Sequence, residues 1–94
     1  MFSFEWDDAN RRHIALHRVT VEEAEEAFNS DTMEIAFDVI DSEQRLEEVG
    51  ATAKGRILRI VTTIRGDKVR VVTAFDAPKQ MKIAYFIERG VRDE

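Results

Sequence analysis

Cysteine is absent from the 94 residues, so neither a disulfide framework nor thiolate chemistry is open to the chain, and this absence fits an intracellular protein. Proline occurs once, at Pro78, and the four glycines are scattered rather than gathered into a loop that could cradle phosphates. Apolar runs fall far short of the roughly 20 residues that a membrane-crossing helix needs. The opening Met1-Phe2-Ser3-Phe4-Glu5-Trp6-Asp7-Asp8 has no basic region followed by an apolar stretch, which argues against a secretory signal. A soluble cytoplasmic protein is expected.

What is there is enough for a single small domain, 1–94, with one core: 44% of the residues are hydrophobic. A domain of this size buries a smaller share of its surface than a larger one, so a partner or self-association can matter to its stability. The net charge of -5 conceals a polarity along the chain. Residues 1–50 hold 14 Asp and Glu against 4 Arg, whereas residues 51–94 hold 10 Lys and Arg against 5 acids. Such asymmetry hints at one anion-facing side. The acidic half weakens long-range attraction to a polyanion, which excludes a generic nucleic-acid coat.

The strongest local signal lies between Arg56 and Phe75, where two runs rich in β-branched residues flank Gly66-Asp67. This predicts a β-hairpin with a two-residue turn. Pairing outward from the turn places Ile64 opposite Val69, Thr62 opposite Val71, Ile60 opposite Thr73 and Leu58 opposite Phe75, all on one face, because strand side chains alternate. That face is the expected core, with Leu58, Ile60, Ile64, Val69, Val71 and Phe75 covered by the helix that contains Met81 and Tyr85. The other face carries Arg65 and Lys68, Thr63 and Arg70, Val61 and Val72, Arg59 and Ala74. Its basic stripe reads either as a solvated outer face or as a phosphate-binding surface.

Elsewhere the pattern supplies helices and further strands. Phe2–Trp6 alternates like a short strand, and Asp7 or Asp8 can cap a helix running to about His17, with Ala9, His13, Leu16 and His17 on one side. Thr20-Val21-Glu22-Glu23 is a capping box, behind which Val21, Ala24, Ala27 and Phe28 form the apolar side of a second helix. From Met33 to Val39 the period is two, a turn follows at 40–43, and Arg45–Val49 reads as a weaker strand. Asp76-Ala77-Pro78 reads as a helix start with Asp76 as cap, and Gly90 can end that helix. The order β-α-α, four strands, α predicts an α+β fold: a small antiparallel meander sheet with helices packed on one face.

His13 and His17 stand at a spacing that can place two imidazoles on a metal, but no third ligand is evident, so no metal or cofactor is expected. His17, Arg45 and the basic hairpin face suit metal-free RNA cleavage, in which a base deprotonates the 2′-hydroxyl and cations stabilise the pentacoordinate phosphate. A buried structural histidine fits the same residues equally well.

The order of several segments carries a resemblance. Phe4-Glu5-Trp6-Asp7 comes first, followed by Leu16-His17-Arg18-Val19-Thr20-Val21-Glu22-Glu23-Ala24 and by Glu43-Gln44-Arg45 before Gly50. Gly55-Arg56-Ile57-Leu58, Thr63-Ile64-Arg65-Gly66 and Val69-Arg70-Val71-Val72-Thr73-Ala74 complete the series. From Phe4 to about Tyr85 the chain resembles the BrnT-type toxins. The resemblance implies a RelE-like fold and a small ribonuclease that arrests translation and is neutralised by a BrnA-type antitoxin. It also implies His17, Arg45, Arg65, Arg70 and Thr73 as catalytic positions. Arg59 and Lys68, on the basic stripe, are the expected RNA-binding cations.

The chain departs from the family where Phe75 and Asp76 stand in place of an arginine-bearing run, and where Leu16 precedes His17. Lost cations weaken RNA binding and transition-state stabilisation. The alternative is a divergent non-enzymatic interaction protein on the same fold.

Overall fold

A computed structural model describes residues 3–90. In chain order the elements are β1 (Ser3–Glu5), α1 (Asp8–Ala15), α2 (Val21–Asn29), β2 (Met33–Ile40), β3 (Glu43–Ala51), β4 (Ile57–Arg65), β5 (Lys68–Asp76) and α3 (Lys79–Glu88). Phe2, expected in the first strand, lies outside the described residues. Strands β2 to β5 form an antiparallel meander, and β1 adds in parallel to β5, giving one five-stranded sheet of order β1-β5-β4-β3-β2. The fold is α+β, as the pattern predicts. Among the described residues, no helix is long and apolar enough to cross a membrane.

Local chemistry explains where elements begin and turn. Asp7 caps α1 through a reciprocal box with Asn10. Thr20 and Glu23 form the expected box at α2, each satisfying a backbone N–H that helix geometry leaves free. The β4–β5 turn falls at Gly66, whose φ of 63 is one that glycine adopts without a Cβ clash. The β2–β3 turn uses Asp41 and Ser42 at φ 51 and 66. Asp and Ser are common turn formers because their short side chains bond nearby backbone.

The helices occupy both faces of the sheet rather than one. Leu58, Ile60, Val71 and Ala74 pack against Ile14, Val19, Ala24 and Ala27, so α1 and α2 cover the first face. Ile57 and Val49, each one residue out of phase with that set, pack with Ala77, Tyr85 and Met81 on the second face, where α3 lies. The expectation that the helix with Met81 and Tyr85 covers Leu58 and Ile60 is thus corrected.

The reason is a β-bulge. Ile64–Val69 and Thr62–Val71 pair as predicted, but the register shifts between Val61 and Thr62, after which Val61 faces Thr73, Ile60 faces Ala74 and Arg59 faces Phe75. Val72 is the extra residue, and beyond it every side chain of β5 changes face relative to the simple pairing. Ala74 enters the core, while Phe75 leaves it for the second face and stands 5.5 Å from the His17 ring. Ile64, at 46% exposure, also lies outside the core.

Two more expectations change. The buried side of α1 is Asn10 and Ile14, and Leu16 is 80% exposed. Pro78, not Asp76, is the cap position of α3, without a side-chain bond, and Asp76 instead pairs with Arg56 at 2.8 Å.

Candidate active site

Helix α1 starts beside β5 and is tied there by polar groups. The Asn10 amide donates to the carbonyls of Glu5 and Val71 at 2.9 and 3.2 Å, joining the helix to both β1 and β5. Ile14 takes the inner side, and Ala9, Asn10 and His13 border a cleft. It has a volume of about 240 Å³, and its wall and floor bring His13 together with Arg70, Thr63, Arg65, Arg45 and Glu43.

The floor follows from strand register. Arg45 on β3, Thr63 on β4 and Arg70 on β5 stand directly opposite one another in successive ladders, so all three project from the second face in one row. Arg65 and Lys68 form the next row, toward the turn. Rigid neighbouring strands thus hold three guanidinium groups around a single concavity.

Acidic side chains from the first half of the chain meet most of these cations. Arg70 donates to Asp7 at 2.8 Å and to Glu5 at 3.3 Å. Arg65 reaches Glu43 at 3.4 Å and Glu5 at 3.6 Å. Beyond the cleft, Arg59 pairs with Glu47, and Arg56 with Glu23 and Asp76. The charge polarity seen along the sequence is therefore offset in part by pairing within the molecule. The hydrogen bond from Arg70, followed by that from the Asn10 backbone N–H, lowers the Asp7 carboxyl from its ordinary 3.8 to about 2. Arg70 is correspondingly raised, chiefly by Asp7.

Arg45 is different. Asp38 stands across from it on β2, yet among the described residues Arg45 has no ion-pair partner, and its buried Nε has no hydrogen-bond partner there. Thr63, beside it, is 1% exposed, and its hydroxyl also lacks a partner among the described residues.

Of the residues expected from the sequence, Arg45, Arg65 and Arg70 line the cleft, whereas His17, Thr73, Arg59 and Lys68 do not. His17 lies beyond the end of α1 with its ring against Phe75. Thr73 faces Val61, and its buried hydroxyl has no partner. Arg59 lies between Glu47, Met81 and the Phe75 ring. Lys68 is exposed at the turn. Sequence reasoning assigned no role in the cleft to His13 or Thr63. The placement of Thr63 opposite Arg70 on the basic face was the available signal for Thr63. Phe75 and Asp76, the two departures from the family pattern, are not among the residues lining the cleft.

The two imidazoles lie 6.1 Å apart, and among the described residues no group of three or more His, Asp or Glu side chains is placed to hold a metal ion. The cleft can instead bind an anion through guanidinium groups with an imidazole at its wall.

An α+β domain with a cationic cleft on one sheet face is the class that this geometry defines. Residues 6–80 match the family described as ribonuclease toxin, BrnT, of type II toxin-antitoxin system, and the chain belongs to that family. No curated protein matches the chain.

Proposed function

We propose that the cleft is the catalytic centre of a ribonuclease toxin that cleaves RNA without a metal ion and thereby arrests translation in the cytoplasm. The observation that carries this reading is the convergence of His13 with Arg45, Arg65 and Arg70 around one concavity, in a chain of a ribonuclease-toxin family. His13 takes the proton of a ribose 2′-hydroxyl. The 2′-oxygen then attacks the adjacent phosphorus, and the bond from phosphorus to the 5′-oxygen breaks. The imidazolium so formed returns its proton to the departing 5′-oxygen, leaving a 2′,3′-cyclic phosphate. The arginines stabilise the charge that builds on the phosphoryl oxygens. A RelE-like relationship is consistent with the meander sheet.

A BrnA-type antitoxin is the proposed partner. Phe37, Val39 and Ile40 on edge strand β2, and Ile83, Phe86 and Ile87 on α3, are exposed apolar side chains that support burial against another chain. The test is incubation of the purified chain with single-stranded RNA in EDTA, with and without the co-encoded antitoxin. Cleavage in EDTA that the antitoxin suppresses is expected; cleavage that requires added metal, or is indifferent to the antitoxin, contradicts the reading.

The pairing of Arg65 and Arg70 with Glu5, Asp7 and Glu43 favours a second reading, a non-enzymatic interaction protein whose cleft cations are structural. Antitoxin binding with no cleavage of any RNA would select it.

A further inference from the structure

The two edges of the sheet are unlike. At one, β1 has three residues; at the other, β2 has eight, and among the described residues no strand lies beyond it. Alternate backbone N–H and C=O groups along β2 are thus left without a strand partner, a condition that proteins usually blunt with lysine, proline or a bulge. The register shift of β2 against β3 falls between Glu34 and Ala36, and the stretch Ala36-Phe37-Asp38-Val39-Ile40 after it pairs without interruption and holds neither lysine nor proline. Phe37 shares a row with Leu46, Thr62 and Val71, and Val71 packs under α1 and α2, so Phe37 and Val39 project from the first face. Asp38 and Ile40 project from the second. Phe37, Val39 and Ile40 are 54%, 62% and 48% exposed, so this edge is apolar on both faces.

Charge decides which kind of chain can pair there. From Met33 to Asp41 the charged residues are Glu34, Asp38 and Asp41, with no Lys or Arg. On β3 the acids Glu43 and Glu47 are matched by Arg65 and Arg59, but among the described residues neither Glu34 nor Asp38 has an ion-pair partner. A second copy paired edge to edge would bring only carboxylates together, and like charges across neighbouring strands are destabilising. We infer that β2 is the docking edge for an extended segment of a different chain, one that alternates apolar and cationic residues and adds to the sheet as a further strand. Its backbone completes the free groups of β2, its apolar side chains lie beside Phe37 and Val39 on the first face, and a Lys or Arg stands against Asp38 on the second. The inference deepens the partner reading given above, on which it rests for the identity of that chain, and adds the conformation and charge of the segment that binds.

The test is a titration of the full chain with two short capped peptides, one alternating valine and lysine and the other alternating valine and glutamate, with backbone hydrogen exchange followed by NMR. Saturable binding of the lysine peptide, with slowed exchange between Ala36 and Ile40, is expected, and the glutamate peptide should leave these amides unchanged. Asp38→Lys should weaken the lysine peptide by about 2-fold to 30-fold, the range for exchanging an attractive cross-strand pair for a repulsive one, and should admit the glutamate peptide. Should Asp38→Lys fail to fold, Val39→Lys serves instead, since a lysine in place of this exposed valine blunts the edge and should remove the protection. Equal binding of the two peptides, protection centred on α3, no saturable binding, or no response to the variant that folds overturns the inference. Protection of residues 36–40 that grows with protein concentration alone also overturns it, in favour of a second copy. The same exchange experiment with the co-encoded antitoxin separates the two readings. An antitoxin that binds while leaving residues 36–40 unprotected sinks the docking edge alone, and protection there by the lysine peptide with no binding of the antitoxin sinks the partner reading alone.

Discussion

Gly50 lies directly beneath the carbonyl of Ala27: a Cβ built on it would meet that oxygen at 2.2 Å and the Ser30 hydroxyl at 2.8 Å. The approach lets the end of α2 sit on β3, where the Ser30 hydroxyl donates to the Ala27 carbonyl and accepts from the Ala51 amide. Since the obstacle is backbone, it cannot swing aside as a side chain would. Gly50→Ala should therefore cost about 3 kcal/mol or more, the upper range for overpacking. Urea unfolding measures it; a variant within about 0.5 kcal/mol of the parent, the usual effect of an inert surface change, would contradict the packing described.

The alternation of faces along β4 predicts different outcomes for two adjacent residues. Ile60 is fully buried against α1 and α2, so Ile60→Ala should lower stability by about 2–5 kcal/mol. Arg59 has a partly exposed side chain paired with Glu47, so Arg59→Ala should cost about 1 kcal/mol or less. Denaturation of the two variants side by side decides the point, and equal losses would speak against the assigned faces.

How much of this was legible beforehand depends on what each feature rests on. The elements, an Asp cap for α1, the Thr20–Glu23 box and the hairpin turn rest on short-range chemistry that residues such as Asp7, Thr20, Glu23 and Gly66 display openly. The bulge rests on one residue, Val72, that looks like any other strand residue, with no glycine or proline to mark it. Missing it moved Phe75 and Thr73 to the wrong face and α3 with them. The expected helix runs to about His17, and His17 rather than His13 is the position that the family resemblance selects, whereas the cleft is lined by His13 and the helix is shorter. It ends at Ala15, and Arg18 at φ 57 turns the chain away, so the helical spacing no longer applies to His17. Asn10 reads as a surface residue, yet its place inside follows from carbonyls on two strands that only the fold brings together.

The tie between Asp7 and Arg70 gives stability a dependence on acid. Asp7 titrates at about 2 when folded against an ordinary 3.8, so between these values the unfolded chain binds more protons and stability rises with pH. The contribution is fully present above about pH 4 and is lost as pH falls through about 2. Glu23, held down chiefly by the Thr20 amide, and Asp76, held down by Arg56, shift in the same direction. Thermal melts of the parent and of Asp7→Asn should converge as the pH is lowered through this window and separate above it. A gap that stays constant from neutral pH down to about 2 would contradict the linkage.

The proposed RNA cleavage in the cleft beside α1 requires His13 as its proton-transfer group. Single-turnover cleavage of one single-stranded RNA, in EDTA, by the parent, His13→Ala, Arg45→Ala and His17→Ala tests it most directly. The expected result is a 2′,3′-cyclic phosphate product from the parent and a loss of about 100-fold to 10,000-fold for His13→Ala. Arg45→Ala should lose about 100-fold to 1,000-fold. His17→Ala should stay close to the parent. Equal and negligible cleavage by all four proteins, or loss on replacing His17 with none on replacing His13, would contradict it.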